Sequence, residues 1–317
     1  MNARRHLIRS TAAAGAVALG ALSLSACGGD AAAQDDTVQV VASFYPMDYL
    51  AQRIGGDHVT VTDLTHPGVE PHDLELSPKQ TVQLGKADLV VYLKGLQPAV
   101  DKAVAQSGVE HVAEATSYTT LEDHGTNVDG SDHDHAHAAH GHDAAADPHI
   151  WLDPVRYAKV AQGVGKELAA ADPDHKADYR KNTEKLVDDL HALDEEFTKG
   201  LHNRETDTFV TTHAAFGYLA ERYGLHEVAV SGIDPESGSV SGAHLKKLHK
   251  VIKREDVGTV FFETGASGKI AQTMAVDLGV QTAVLSPLET VKDPERQDYF
   301  SVMHQNLAAL RSALDAK

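Results

Sequence analysis

Residues 173–202 read PDHKADYRKNTEKLVDDLHALDEEFTKGLH. Tyr179, Leu186, Leu190, Leu193, Phe197 and Leu201 recur there at spacings of three, four or seven, and the remaining faces are charged. That periodicity predicts one long helix with a narrow apolar stripe. At 1.5 Å per residue it is about 40 Å long, enough to run along a whole lobe or to join two.

Both flanks of this stretch alternate strand and helix. Upstream, residues 37–44 are a β-branched run that ends at Tyr45-Pro46, and residues 47–54 carry helical spacing that stops at Gly55-Gly56. A second strand over 58–64 leads into a loop punctuated by Pro67, Gly68 and Pro71, after which Ser77 and Pro78 look like the N-cap and first residue of a helix reaching about residue 86. Strand 88–94, helix 98–106 and strand 109–115 complete this half, and residues 154–171 predict a helix before the long one. Downstream, strands over 206–212, 226–230, 258–262 and 281–285 alternate with helices over 214–223, 244–254, 267–278 and 294–316. The pattern predicts an α/β protein of two lobes, each a mainly parallel sheet flanked by helices, joined by the long helix with a ligand cleft between them. The expected divisions are an N-terminal lobe over 37–153, a helical connector over 154–203 and a C-terminal lobe over 204–317.

The first residues address compartment. Arg4, Arg5 and Arg9 precede a short apolar run ending in Leu24-Ser25-Ala26-Cys27, which reads as a secretory signal over 1–26. Its last four residues resemble the lipobox of bacterial lipoproteins, and that resemblance implies cleavage before Cys27, lipidation of its thiol and a flexible tether over 27–36. Cys27 is the only cysteine, so a metal site in the body must use His, Asp and Glu. Three of the 28 basic residues lie in the signal against 46 acidic residues overall, so the net charge moves from −18 to about −21 once it is removed. Nucleic acid is excluded as a partner by that balance.

Residues 122–146 form an acidic, small-residue run carrying His124, His133, His135, His137, His140 and His142. Such a composition cannot bury a core and is expected as a solvated loop, either a weak collector of metal or a plain linker. The run hardens into Asp147-Pro-His149-Ile-Trp-Leu-Asp-Pro154. Ligands of open α/β sheets collect beyond the carboxyl ends of strands. Four metal-capable side chains sit there: His72, His149, His213 and Glu289. Three imidazoles and a carboxylate suit zinc, whereas calcium and magnesium want mostly oxygen. A lone histidine after a strand is more often a surface residue than a ligand, and Glu263, also at a strand end, competes with Glu289 for the fourth place or serves behind a ligating histidine. Spacing alone leaves that choice open.

Pro71-His72-Asp73-Leu-Glu-Leu-Ser-Pro78, the 147–154 block, Thr212-His213-Ala-Ala-Phe-Gly-Tyr218, and Phe262-Glu263 with Pro287-Leu-Glu289 together resemble the zinc-binding lipoproteins of bacterial metal ABC importers, a receptor family with manganese-binding members. The likeness runs through the whole mature chain. It implies His72, His149 and His213 as histidine ligands, Glu289 at the fourth place and a structural Glu263. Manganese-selecting relatives carry Glu and Asp at the third and fourth places, so the pair here implies zinc. Some zinc members use a carboxylate directly before the first histidine; that place is Pro71, with Glu70 one earlier. The implied protein is a monomeric, lipid-anchored, extracytoplasmic receptor that delivers Zn²⁺ to an ABC permease and is not an enzyme. A manganese receptor of the same fold and an exported zinc hydrolase are the alternatives, and an adhesin role is neither implied nor excluded.

Overall fold

The computed structural model describes residues 37–124, 146–230, 242–263, 267–293 and 296–317. The expected signal, the tether, Cys27, and His133, His135, His137, His140 and His142 lie outside the described residues. Among the described residues no helix is long and apolar enough to cross a membrane.

The first sheet comprises β1 (Val38–Ala42), β2 (Val59–Asp63), β3 (Leu89–Tyr92) and β4 (His111–Glu114), all parallel, in the order β2-β1-β3-β4. Helices α1 (Tyr45–Gly55), α2 (Pro78–Leu84) and α3 (Pro98–Ser107) make its crossovers. The second sheet repeats the plan with β5 (Thr208–Thr211), β6 (His226–Ala229), β7 (Thr259–Phe262) and β8 (Gln281–Val284), parallel and in the order β6-β5-β7-β8. Its helices are α6 (Gly217–Tyr223), α7 (Gly242–Arg254) and α8 (Ser267–Leu278). In each sheet the direction of strand addition reverses beside the first strand, where the loops beyond the carboxyl ends diverge and leave a crevice.

Between the sheets run α4 (Pro154–Ala171) and α5 (Lys176–Leu201), and α9 (Tyr299–Ala313) closes the chain. All six apolar residues of the α5 stripe are buried in one core cluster that also holds Val40, Ala42 and Leu89 of the first sheet and Phe209 and Phe261 of the second. The lobes therefore share a core. Alternate strand residues face the other way: Val41 and Val90 join a separate cluster with Leu84 and Val100, and Val210, Val228 and Val260 pack with Leu248, Val251 and Ile252. Strands with both faces covered are what their unbroken apolar runs require.

Local signals set the boundaries. Ser77 and Gln80 form a reciprocal capping box with Pro78 in the first turn of α2. Two expected helices are shorter than anticipated. Asp298 and Ser301 build a second capping box, so α9 begins at Tyr299 rather than at Pro294. Helix α6 begins at Gly217 rather than Ala214, because residues 213–216 turn away from β5 and the Phe216 N–H is taken by the Glu227 carboxylate at 3.0 Å.

Candidate metal centre

The 147–154 block works residue by residue. Asp147 folds back so that its Oδ1 accepts the His149 backbone N–H at 3.0 Å and the His149 Nδ1–H at 2.7 Å. A short 3₁₀ turn, Ile150–Leu152, then drives three apolar side chains into the core. Asp153 caps α4 through the N–H groups of Val155 and Arg156, with Pro154 in the first turn where its missing N–H costs nothing. Trp151 carries the block across the lobes: its Nε1–H donates to the Pro287 carbonyl at 2.6 Å, and its own carbonyl accepts from the Tyr299 hydroxyl at 2.7 Å. His149 is thereby fixed relative to the segment bearing Glu289.

That segment is held from the other side. The buried Asn306 amide of α9 clasps Ser286, accepting its N–H at 2.9 Å and donating to its carbonyl at 2.8 Å. Between the clasp and Glu289, buried Leu288 has φ +58°, a left-handed conformation costly for a branched side chain. Strain of this kind persists where packing enforces it and gathers at functional sites. Here it turns Glu289 inward.

His72, His149, His213 and Glu289 converge: one ligand-capable atom from each lies within 4.8 Å of all the others. Glu289 Oε1 is 2.9 Å from His149 Nε2, 3.2 Å from His72 Nε2 and 3.9 Å from His213 Nε2. The side chains of His149, His213 and Glu289 are 0%, 2% and 3% exposed and that of His72 is 8%, so His72 forms the outer wall. Glu263 stands behind the cluster, its Oε1 accepting from His213 Nδ1 at 2.6 Å. Both histidines with a carboxylate at Nδ1 present Nε2 inward, the tautomer a metal ligand needs. Glu70 is drawn in as well, but only to accept the His72 backbone N–H at 3.2 Å. Asp147 is the site carboxylate that strand-end placement does not single out, although an Asp two residues before a histidine is an Asx-turn signal that points to it.

The first histidine of the 122–146 run is described, and it is not at this cluster. His124 Nδ1 faces Asp147 Oδ2 at 2.7 Å and its Nε2 faces Glu221 Oε2 at 3.2 Å. Glu122, His124 and Glu221 form a second group that could hold a metal, but the Arg156 guanidinium already pairs with Glu122.

Charge in the main cluster is tightly balanced. Burial disfavours the His149 cation, yet Asp147 and Glu289 overcome it and raise the imidazole to about 10. Burial likewise opposes the His213 cation, and Glu289 with Glu263 outweighs it, raising that group to about 9. Burial would push Glu289 up, but the surrounding histidines hold it far below the usual carboxylate range. Without a metal, protons occupy the place of the cation.

A family model described as ZnuA, zinc-uptake complex component A, periplasmic, matches residues 40–313. The chain belongs to the ZnuA family. Among ZnuA relatives, the zinc-binding lipoprotein AdcA of Streptococcus pneumoniae is 35% identical over 302 residues, covering 93% of this chain and 59% of that protein. The high-affinity zinc uptake system protein ZnuA of Bacillus subtilis is 34% identical over 311 residues, covering 93% and 95%. The chain thus spans 59% of the AdcA relative and nearly all of the Bacillus one. The crystal structure of Zn(II)-bound AdcA superposes with a TM-score of 0.74 at 33% identity, covering 89% of this chain and 58% of that one. A laminin-binding protein of Streptococcus agalactiae, described as bifunctional with adhesin and metal-transporting activity, gives 0.75 at 32% identity and covers 87% and 99%.

Proposed function

We propose that this chain is an extracytoplasmic zinc receptor that binds one Zn²⁺ through His72, His149, His213 and Glu289 and delivers it to an ABC-type importer. The observation that carries the reading is the meeting of three imidazole nitrogens and one carboxylate oxygen, two residues from each lobe, within 4.8 Å of one another in a buried pocket. Nitrogen-rich, four-donor surroundings favour zinc over manganese, magnesium or calcium. The family, and relatives described as zinc-binding, support the same choice.

The role is capture and release, with no chemistry on the metal. Four protein donors fill a tetrahedral shell and leave no place for the activated water of a zinc hydrolase. The permease partner, the monomeric state, the lipid anchor on Cys27 and the weak capture of extra metal by His133, His135, His137, His140 and His142 belong to this proposal as well. So do the lobe divisions at 153/154 and 203/204 and the place of Glu263 behind His213. The test is metal content followed by competitive zinc and manganese titration of the chain lacking residues 1–26, beside His149→Ala and His213→Ala. One tight zinc, preferred to manganese and lost in both variants, is expected; tight zinc retained in both variants overturns the ligand set.

A further inference from the structure

We propose that His124, the first histidine of the run, is a positioning residue for the metal site and takes no part in collecting metal. This rests on the reading of His149 as a ligand. Asp147 is nearly inaccessible, its side chain 3% exposed, and both of its oxygens are used. Oδ1 holds the His149 ring and backbone, while Oδ2 pairs with His124 Nδ1 at 2.7 Å. The imidazole of His124 thus fixes the rotation of the carboxylate that in turn fixes the ring of His149.

Three features show that the fold is built around this pair. Both ring nitrogens of His124 face carboxylate oxygens, on Asp147 and Glu221. With both nitrogens held against carboxylates, a metal at this ring would have to displace one of these two contacts. Gly217 leaves the necessary space: a Cβ there would lie 2.5 Å from His124 Cβ and Cγ and 2.7 Å from Asp147 Oδ2. Tyr218 then packs edge-on against the His124 ring at 4.3 Å, while its hydroxyl accepts the Glu122 N–H at 2.7 Å and donates to the Asp147 carbonyl at 2.8 Å. Glu122 and Asp147 are also bridged directly, Asp147 N–H to Glu122 O at 2.8 Å. The first turn of α6 therefore staples both feet of the run, and His124 is part of the staple.

Groups standing behind metal-ligating histidines typically change affinity by about 10- to 100-fold when removed. His124 acts one bond further out, so the lower end applies. The full chain, freed of metal with a chelator, is titrated with zinc against a chromophoric competitor as wild type, His124→Ala, His124→Asn and His149→Ala, and the His149 Nδ1–H resonance is followed by ¹⁵N-edited NMR. His124→Ala is expected to weaken the tight site about tenfold and to shift that resonance. His124→Asn, whose amide N–H still reaches Asp147, is expected to restore most of both. Gly217→Ala, which displaces the ring without removing it, provides a second route to the same loss if His124→Ala folds poorly. An unchanged tight site and resonance in His124→Ala, or loss of only a weak extra equivalent of zinc, overturns the proposal. If instead His149→Ala binds as tightly as wild type, it is the ligand assignment that fails.

Discussion

At the scale of single residues the site is a problem in proton competition. His149 and His213 each face two carboxylates, Asp147 and Glu289 in one case and Glu263 and Glu289 in the other, so the metal-free chain holds both as cations well above the ordinary value of 6.5. Zinc requires them neutral. The sign follows directly: affinity falls with acidity from about pH 9 downward, not merely below pH 6.5 where an ordinary imidazole would titrate. Near pH 7.5, zinc binding should release about two protons. Calorimetry in buffers of different ionisation enthalpy counts them, and a value near zero would contradict the charge balance. The metal-free fold shows the opposite dependence. Raised pKa values make its stabilisation complete below the unfolded value of 6.5 and remove it as pH rises through 9 to 10. A thermal-unfolding series of the apo chain from pH 6 to pH 10 should show that decline, and zinc should abolish it. His72 differs from the others because it lies on the outer wall. Its alanine variant should therefore bind more tightly than His149→Ala and lose zinc faster than wild type, which stopped-flow exchange into a chelator would resolve.

At the scale of elements, the 147–154 block does three jobs with consecutive residues: it orients His149, anchors a core and starts a helix. Trp151 joins all three through Pro287, Tyr299 and an edge contact with Phe44 at 4.9 Å. Replacing it with alanine should cost about 3–5 kcal/mol of stability, the usual range for a fully buried large aromatic. Chemical denaturation measures this, and a loss below about 1 kcal/mol would mean the two lobes are tied elsewhere. How far such roles can be read from sequence depends on their range. His72, His213 and Glu289 can be picked out because each comes after a strand that hydrophobic periodicity reveals, whereas His149 closes the 122–146 run and is singled out by the motif around it. The α5 stripe is legible for the same reason, each of its six apolar positions being buried. The Asp147–His124 contact is not, because 23 residues separate the partners and the intervening composition carries no periodic signal. Leu288 is equally silent, since nothing in its type announces a left-handed backbone. Helix starts lie between these extremes: Ser77 with Pro78 and Gln80 spells out its cap, whereas two candidate starts, Pro294 and Asp298, stand close together and only the Asp298–Ser301 capping box decides between them.

At the scale of the whole molecule, the decisive fact is one core cluster running from Val38 to Leu314 through α4, α5 and α9. Domains that close around a ligand normally have small, polar interfaces and flexible hinges. Among the described residues the waist is instead a shared apolar core. Tyr49 of α1 stacks on Tyr299 of α9 at 5.7 Å, and Tyr157 of α4 lies 4.7 Å from the same ring, so the final helix is packed into the first lobe while its Asn306 holds the Glu289 segment of the second. Rotating one lobe against the other would expose these rings and break the Trp151 bridge. The smaller motion lies in the connection between β2 and α2, which carries His72 and touches the far lobe through the Gly68 N–H on Thr290 Oγ1 at 2.6 Å. Gly68 itself has φ +81°, so that connection turns on a residue that tolerates the left-handed region. Loading and release should therefore proceed by movement of that connection over a nearly rigid body. Small-angle scattering of the apo and zinc-loaded chain should give radii of gyration within about 1 Å of each other, near the compact value expected for its length. Amide exchange should meanwhile show protection on zinc binding concentrated between β2 and α2 and in the Glu289 segment. A contraction of several ångströms, or protection spread evenly over α5, would mean that the lobes hinge and that the shared core opens in the apo state.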